Sequence, residues 1–371
     1  MLSKEEIKRY NRHLILSEIG PEGQQRLKQA KVLVVGAGGL GCPVLQYLTA
    51  AGVGTIGICD FDFVDESNLQ RQILFGTDDV GKPKAKIAAQ KLAALNPFIQ
   101  FNIHNTMLTK ENALELFADY DVIVDGSDNF PTRFLVNDAC VIAGKPLVFG
   151  AIYKFEGQVA VFNYQNGPTY RCLVPEQPDS SEMLSCSQIG VMGVLPGIIG
   201  SYQANEAIKM ITGTGELLSG KLLMIDTLRM EHNILTIQRN EATANIKSLG
   251  EYGDFCHDEY PDVLEITASD LFERMKNNEV KVFDIREPEL FNSYHIESQR
   301  ISIEELLEKP ELLSGEKNIV LVCEKGMNSA AIIEELEDTE RPNKVFNLQG
   351  GIQAWLTQDF PVINSEPKKK E

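Results

Sequence analysis

A glycine-rich turn is the first feature of this chain whose residue types suit chemistry. Gly36-Ala-Gly-Gly-Leu-Gly41 follows an apolar run, 31–35, and precedes an apolar stretch, 42–51. Glycines in such a turn let the backbone approach a phosphate, and the next helix N-terminus points free N–H groups at it. Asp60 follows 19 residues later, where a carboxylate can accept hydrogen bonds from ribose hydroxyls. The pattern predicts a nucleotide site that uses Gly36, Gly38, Gly39, Gly41 and Asp60.

Amide and cationic side chains follow the turn at spacings that suit a chain of phosphates. Asn68 and Arg71 are one helical turn apart, just past Asp60. Lys84 stands at a predicted helix start, an unfavourable place for a cation in the helix dipole, so we expect an anion beside it. Arg12, before the first predicted strand, is a further candidate phosphate contact.

A second turn offers oxygen ligands. Asp125-Gly-Ser-Asp-Asn129 ends another predicted strand, and Asp128 and Asn129 lie at its far end. Mg²⁺ prefers oxygen ligands, so Asp128 is the candidate magnesium ligand. Because the carboxyl ends of parallel strands meet at one edge of a sheet, we expect both turns to lie together.

Cys323 carries the second candidate chemistry. It follows an apolar strand pattern, 319–322, and begins a loop, 323–329, that opens onto a predicted helix. A sulfur atom there would meet backbone N–H groups and a helix N-terminus. Such settings favour a thiolate and would equally stabilise a persulfide anion.

The order of predicted elements supplies the scaffold for these residues. Strand and helix patterns alternate, which predicts an α/β chain with a Rossmann-like doubly wound sheet, followed by a smaller α/β domain. We expect four segments: a doubly wound domain at 1–240, a linker at 241–262, a small α/β domain at 263–364 and a tail at 365–371.

Composition narrows the class of protein. The net charge of -18 over 371 residues repels phosphate backbones, so we expect no nucleic-acid partner. The apolar stretch 191–200 is too short to cross a membrane and contains Pro196. Seven scattered cysteines do not form a disulfide framework, and no leader pattern is visible, so we expect a cytoplasmic protein.

The motifs of residues 3–240 resemble the MoeB/ThiF/HesA family, relatives of the ubiquitin-activating enzymes. The resemblance rests on Arg12, the GxGGxG turn, the D-x-D-x-V-x-x-S-N-L-x-R-Q segment from Asp60, the K-P-K segment that ends at Lys84 and the D-x-x-D-N turn. It implies Mg-ATP-dependent adenylation of the C-terminal Gly-Gly carboxylate of a ubiquitin-fold sulfur carrier. It also implies a homodimer in which Arg12 reaches the partner's phosphates. The implied ATP and magnesium ligands are Gly39, Asp60, Asn68, Arg71, Lys84 and Asp128.

The cysteines of this part only partly match that family. Members commonly hold zinc with two C-x-x-C pairs, but here only Cys172 and Cys256 remain, so we expect no structural zinc. Cys186 matches the position where relatives carry a cysteine that forms a thioester or mixed disulfide. A semi-buried cysteine without a chemical role is the alternative. Cys42, Cys59 and Cys140 lie in apolar patterns and are predicted to be core residues.

Residues 263–362 resemble a rhodanese domain. The resemblance rests on Phe283-Asp-Ile-Arg-Glu-Pro288, His295-Ile296, the Cys323 loop and the segment 348–355. It implies sulfur transfer through a Cys323 persulfide. Rhodanese loops often carry arginine where this chain has Glu324 and Asn328. With Glu324 beside the thiol, we expect a protein persulfide donor, such as a cysteine desulfurase, rather than thiosulfate.

Together the two resemblances imply one pathway: a carrier is adenylated and then receives sulfur as a thiocarboxylate, as in molybdopterin, thiamine or thiolated-tRNA synthesis. Two alternatives stay open. In one, the rhodanese part is an inactive docking module. In the other, the chain is an NAD-dependent oxidoreductase, which would rest on the glycine-rich turn and Asp60 alone and would leave Arg71, Lys84 and Asp128 unexplained.

Overall fold

A computed structural model describes residues 1–177, 190–252, 263–315, 317–324, 326–336, 343–358 and 360–364. The chain forms two compact units, Met1–Phe255 and Cys256–Glu371. The division after residue 255 falls inside the segment 241–262 that the sequence assigns to a linker.

The first unit is built on one sheet of eight strands. In chain order they are β1 (Lys31–Val35), β2 (Thr55–Cys59), β3 (Gln100–His104), β4 (Val122–Asp125), β5 (Leu147–Tyr153), β6 (Glu156–Phe162), β7 (Lys221–Asp226) and β8 (Glu231–Thr236). Their spatial order is β3-β2-β1-β4-β5-β6-β7-β8. The first five pair in parallel, and β6, β7 and β8 continue the sheet in antiparallel pairs. The predicted doubly wound sheet is confirmed, and the antiparallel half extends it.

Ten described helices surround this sheet: α1 (Lys4–Arg9), α2 (Asn11–Leu14), α3 (Gly20–Gln29), α4 (Gly41–Ala51), α5 (Lys84–Leu95), α6 (Ala113–Ala118), α7 (Phe130–Ala143), α8 (Tyr170–Leu173), α9 (Leu195–Thr212) and α10 (Glu241–Ala244). Strands β1, β2 and β4 are almost wholly buried, as expected for parallel strands covered on both faces. Strand β8 is exposed along its whole length. Apolar clusters lie on both faces of the parallel part.

Residues 241–252 pack against the first unit. Tyr252 belongs to its apolar core and donates a hydrogen bond of 2.9 Å from its hydroxyl to the buried carboxylate of Asp138. The Arg171 guanidinium binds both oxygens of the same carboxylate at 2.8 Å. A buried charge needs such partners, so this network fixes the described part of the predicted linker to the sheet domain.

The second unit is a small α/β fold. Its five-stranded sheet has the order β12-β10-β13-β14-β9, all in parallel pairs. The strands of this unit are β9 (Glu265–Ile266), β10 (Val280–Asp284), β11 (Tyr294–His295), β12 (Gln299–Arg300), β13 (Asn318–Val322), β14 (Val345–Leu348) and β15 (Ile363–Asn364), and its helices are α11 (Ala268–Lys276), α12 (Pro288–Ser293), α13 (Ile303–Glu308), α14 (Met327–Glu335) and α15 (Gly351–Thr357). Trp355, the single tryptophan of the chain, is fully buried beneath this sheet. The predicted fold class is confirmed for both units.

None of the described helices is long and apolar enough to span a membrane. The described cysteines are all free thiols, and Cys42, Cys59 and Cys140 are buried core residues as predicted. Burial raises the pKa of the Cys59 thiol to about 12, which makes it chemically inert near neutral pH.

Candidate active sites

The glycine-rich turn has a backbone path that only glycine permits at its ends. Gly36 has a φ of +88°, and a Cβ atom on Gly41 would lie 1.9 Å from the Gly36 carbonyl oxygen. A Cβ atom on Gly36 would lie 2.9 Å from the carbonyl oxygen of Gly126. The turn therefore runs directly beside the second turn, as the sequence predicts.

Asp60 holds this turn in place. Its Oδ2 accepts a hydrogen bond of 2.7 Å from the Ala37 N–H, and its Oδ1 accepts one of 2.8 Å from the Asp62 N–H. Burial raises the pKa of the Asp60 carboxyl, and the nearby Lys84 ammonium opposes that rise. Each carboxylate oxygen keeps a second lone pair, so Asp60 can still accept a hydrogen bond from a ribose hydroxyl.

The position of Lys84 at a helix start predicts an anion beside it. The structure shows such an anion within the protein itself, the carboxylate of Asp62. The Lys84 ammonium is 2.9 Å from the Asp62 carboxylate, and Lys84 itself is only 5% exposed. Sequence reasoning missed Asp62, although its alternation with Asp60 across one intervening residue was the available signal. The buried ammonium thus lies near two carboxylates, at the carboxyl end of β2.

Asn68 and Arg71 lie in a turn that follows β2. The 3₁₀ helix Glu66–Asn68 leads into it, and the Arg71 N–H donates to the Asn68 carbonyl at 3.0 Å. A Cβ atom on Gly39 would lie 3.7 Å from Cδ of Arg71, so the arginine side chain runs alongside the glycine-rich turn. Gln72 is buried beside Gly38, and its Oε1 has no hydrogen-bond partner in the part of the chain that the structure describes, a feature that the sequence did not reveal.

The second turn places Asp128 at the surface and Asn129 in a capping role. Asp128 is exposed just after β4. The Asn129 side chain accepts a 2.9 Å hydrogen bond from the Thr132 N–H and so caps α7, which occupies part of its hydrogen-bonding capacity. Asp125, before them, is fully buried, and burial raises the pKa of its carboxyl.

A cavity of about 570 Å³ opens beside Asp128 and Asn129. Its walls come from the antiparallel half of the sheet, between β5 and β8, and from the start of α7. Aromatic and aliphatic side chains line much of it, among them Phe149, Tyr170 and Ile225. A cavity that combines apolar walls with polar groups is typical of a site that binds a ligand.

Arg12 is the predicted site residue that this chain does not bring to the others. The neighbouring residue Tyr10 packs against Gly52, at the far end of α4, and its hydroxyl accepts a 2.8 Å hydrogen bond from Asn96. The eleven residues of α4 span roughly 16 Å from Gly41 to that end. Arg12 itself is exposed and lies in α2, next to Tyr10.

Cys323 follows β13 and lies in a cradle of hydrogen-bond donors. Its Sγ is 3.1 Å from the Gly326 N–H, 3.4 Å from the Ser329 N–H and 3.2 Å from the Ser329 hydroxyl. A Cβ atom on Gly326, whose φ is +87°, would lie 2.8 Å from the Leu348 carbonyl oxygen. The predicted setting of backbone N–H groups and a helix N-terminus is confirmed, with α14 beginning at Met327.

Glu324 stands where many rhodanese loops have arginine, and its carboxylate pairs with the buried guanidinium of Arg286. Its carboxylate accepts from Arg286 at 3.3 Å, from the Tyr294 hydroxyl at 3.2 Å and from Gln353 at 3.4 Å. Arg286 also binds the fully buried Asp284 at 2.8 Å. The positive charge that this arginine would offer an incoming anion is therefore offset by two carboxylates. Asn328 is partly exposed in the same loop.

The remaining cysteines bear on the zinc and thioester expectations. The Cys172 sulfur lies 3.4 Å from the Thr169 N–H and 3.3 Å from the Asn240 N–H. Burial acts to raise the pKa of Cys172, but hydrogen bonds from Asn240 and Thr169 outweigh it and lower the pKa. Cys186 and Cys256 lie outside the described residues, so the expectations of a reactive Cys186 and of no zinc stay predictions.

The fold and the two sites define a class of α/β enzyme. One unit has a sheet edge of the kind that binds nucleotides, and the other has a loop that holds a cysteine of the kind that acts as a nucleophile. The ThiF family model matches residues 10–246, and the rhodanese-like domain model matches residues 267–358. The chain belongs to the ThiF family and carries a C-terminal rhodanese domain.

Named relatives agree over nearly the whole chain. The adenylyltransferase/sulfurtransferase MoeZ of Mycobacterium tuberculosis is 44% identical over 97% of this chain and 95% of its own length. Adenylyltransferase and sulfurtransferase MOCS3 of Xenopus laevis is 38% identical, over 98% and 89%. The sulfur carrier protein adenylyltransferase of Thermus thermophilus is 55% identical over 64% of this chain and 90% of its own. The chain is an enzyme of the adenylyltransferase/sulfurtransferase class, and adenylyltransferases use ATP.

Solved structures show the same fold in the first unit. E. coli MccB, crystallised with MccA-N7isoASN, superposes with a TM-score of 0.55 at 23% identity, over 61% of this chain and 69% of that chain. PaaA gives a TM-score of 0.56 at 24% identity, over 64% and 76%.

Replacing Lys84 tests the sheet edge directly. We expect Lys84→Ala to weaken ATP binding about 10- to 100-fold, because a buried ammonium beside Asp60 is lost and each charged contact contributes roughly 1.5–3 kcal/mol. The exposed Lys86, on the same helix, provides the matched control Lys86→Ala. Isothermal titration calorimetry with ATP measures both, and equal dissociation constants for the two variants would remove Lys84 from the site.

Proposed function

We propose that this enzyme adenylates the C-terminal Gly-Gly carboxylate of a ubiquitin-fold sulfur carrier and then delivers sulfur to it from Cys323. The carrier is of the molybdopterin-synthase small-subunit type or the thiamine type. One observation carries the proposal: a single chain combines a cation-lined glycine turn at a parallel sheet edge with a cysteine cradled by N–H groups. The names of its relatives, which include a sulfur carrier protein adenylyltransferase, support the choice of substrate.

The adenylation half joins two anions. A carboxylate oxygen of the carrier attacks the α-phosphorus of ATP, and pyrophosphate leaves. Arg71 and Lys84 lower the repulsion between the reacting anions, while the fixed turn aligns the phosphates. The nucleophile is already ionised, so no general base is required.

Asp128 is the proposed magnesium ligand. Among the residues that the structure describes, no group of three or more acidic, histidine or cysteine side chains could form a closed metal cage. Mg²⁺ usually binds one or two carboxylates and completes its shell with water and phosphate oxygens, so an exposed single carboxylate beside the phosphate turn fits it. The ion would supply neutralising charge to the phosphates when bound.

The sulfur half starts from a persulfide donor, for which we propose a protein such as a cysteine desulfurase. The Cys323 thiolate attacks the donor's terminal sulfur, an S–S bond forms and the donor thiolate leaves. The terminal sulfur then attacks the acyl carbon of the adenylate and AMP leaves. A second thiol attacks the Cys323 sulfur, so that the thiocarboxylate leaves and a disulfide forms between that thiol and Cys323, which a thiol reductant then reduces. Cys186 is the proposed source of the second thiol. Glu324 and Asp284 offset the positive charge of Arg286, so little charge is left to attract the thiosulfate anion. This supports an uncharged or protein donor over thiosulfate.

A homodimer would complete the first site with Arg12 of the partner chain. Within one chain Arg12 neighbours Tyr10 at the far end of α4, too distant to reach the glycine-rich turn. Exposed apolar side chains flank that turn: Ile73 follows Arg71 closely, and Val194 precedes Pro196, which packs on Gly39. Their exposures of 65% and 54% are those of residues that a second subunit could cover.

Asp128→Ala tests the first half. We expect carrier-dependent ATP–pyrophosphate exchange to fall at least about 100-fold, because charge stabilisation at the transferring phosphate is lost. Asp78→Ala, at an exposed carboxylate remote from this turn in sequence, is the control. Exchange that stays at the wild-type rate in Asp128→Ala would reject the magnesium assignment.

Mixing two inactive variants tests the shared site. If Arg12 acts across a dimer, Arg12→Ala and Asp128→Ala chains exchanged together should recover about a quarter of the wild-type sites, since half the dimers are mixed and each has one intact site. The readout is pyrophosphate exchange before and after subunit exchange. Recovery that stays at the background of the separate variants would show that Arg12 does not act in trans.

Cys323→Ala separates the two halves. We expect normal pyrophosphate exchange and no thiocarboxylate, because only the sulfur nucleophile is removed. Mass spectrometry after incubation with a desulfurase donor should find one added sulfur on the Cys323 peptide of the wild type, and Cys172→Ala should retain it. A wild-type protein that never gains sulfur at Cys323 would favour the docking-module alternative.

A further inference from the structure

We propose that Arg133 is the residue that anchors the incoming C-terminal carboxylate at the inner end of the 570 Å³ cavity. The inference rests on the adenylation half of the proposed function and adds a substrate-positioning residue to it. It follows from three features of the described residues: where Arg133 lies, which of its donors have no partner, and what lines the space in front of it.

Arg133 is a buried cation in the first turn of α7. It is 7% exposed and lies four residues after Asn129, which caps the helix. Its guanidinium carbon is 5.4 Å from the ring centre of Phe130 and 5.9 Å from that of Phe149. These two rings, Arg133 and Asp128 all line the cavity, so the guanidinium lies between an aromatic wall and the phosphate end of the site.

The hydrogen-bonding capacity of Arg133 is only partly used. Its Nε has no partner among the described residues, its Nη2 makes a long contact of 3.5 Å to the Ser127 carbonyl oxygen, and the Tyr170 side chain is its other polar neighbour. In the part of the chain that the structure describes, no carboxylate lies within 4 Å of this guanidinium. Burying a charge without a close ion-pair partner is costly, so a buried arginine with no described carboxylate within 4 Å can accept an anion that arrives with a ligand.

Neighbouring polar atoms share this lack of partners. The Asp125 Oδ2 and the Ser127 hydroxyl are both buried, and among the described residues neither makes a hydrogen bond of good geometry, although the two side chains are neighbours. Asp125 is the acidic group whose charge interacts with Arg133, and Asp128 is the next acidic group along the same turn. Buried polar groups of native proteins are nearly always paired, so three orphaned groups in one short segment mark a place that a polar ligand completes.

A carboxylate suits this place better than a phosphate. The planar guanidinium binds a carboxylate with two parallel hydrogen bonds, and the cavity also has aromatic and aliphatic side chains against which an extended peptide tail can pack. Residues that would hold phosphates lie instead around the glycine-rich turn. Each carboxylate oxygen keeps a second lone pair when it accepts from the guanidinium, so the oxygen nearer Asp128 can still attack the α-phosphorus.

The test compares two tail peptides that end in Gly-Gly, one with a free carboxylate and one with a C-terminal amide. Binding is measured by titration calorimetry to the full chain saturated with a non-hydrolysable ATP analogue. We expect the wild type to prefer the acid by at least about tenfold, Arg133→Gln to bind both peptides equally, and Arg133→Lys to fall between them, because the ammonium keeps the charge without the fork. Arg229→Gln is the matched control, since Arg229 lines the same cavity but is 75% exposed and paired with Asp226.

Three outcomes would overturn the anchor: equal binding of acid and amide by the wild type, an unchanged acid preference in Arg133→Gln, or an ATP affinity that falls as much as the peptide affinity, which would assign Arg133 to the phosphates. Arg133→Lys carries the test if Arg133→Gln does not fold, as judged by thermal melting. Acid-specific binding without any carrier-dependent pyrophosphate exchange in the wild type would instead reject the proposed adenylation and leave the anchor standing.

Discussion

The first unit depends on one hydrogen bond, from the Ala37 N–H to the buried carboxylate of Asp60. This bond joins the glycine-rich turn after β1 to the end of β2, and it holds the turn in a shape that Gly36 and Gly41 alone permit. It needs an ionised carboxylate in a place where burial opposes ionisation. The Lys84 ammonium offsets that cost, and Asp62 in turn pairs with Lys84. The nucleotide edge is thus a chain of alternating charges built around a backbone turn.

Local sequence patterns were enough to predict most of the elements. The run 31–35 became a strand with unchanged bounds, and the run 319–322 became a strand that begins one residue earlier, because continuous apolar runs between turn residues have few other solutions. The positions of Asp60, Arg71 and Lys84 at one sheet edge followed from the rule that parallel strands share a carboxyl edge. Asp62 and Arg133 were not found, since each looks like an ordinary surface charge until tertiary packing buries its neighbour or itself.

The change from parallel to antiparallel pairing gives the sheet two kinds of surface. Strand β5 pairs in parallel with β4 and in antiparallel fashion with β6, so it borders both halves. On the parallel side, strand ends converge on turns that can bind phosphates. On the antiparallel side, side chains of β6 and β7 form a wall along which an extended segment can lie. Asp128 follows β4, next to this border, which is where a phosphate and a peptide end would have to meet.

The two units hold anions by different means, and the difference follows from the chemistry of each. Phosphates carry several charges, and in the proposed site the sheet edge would meet them with arginine, lysine and a metal-binding carboxylate. A sulfur anion carries one diffuse charge, and the Cys323 loop offers it backbone N–H groups and one hydroxyl. Glu324 pairs with Arg286 and so offsets the positive charge of that arginine. A cradle of neutral donors stabilises sulfur without attracting phosphate or thiosulfate. An enzyme that must keep ATP and a persulfide in separate sites has reason to place its cations in only one of them.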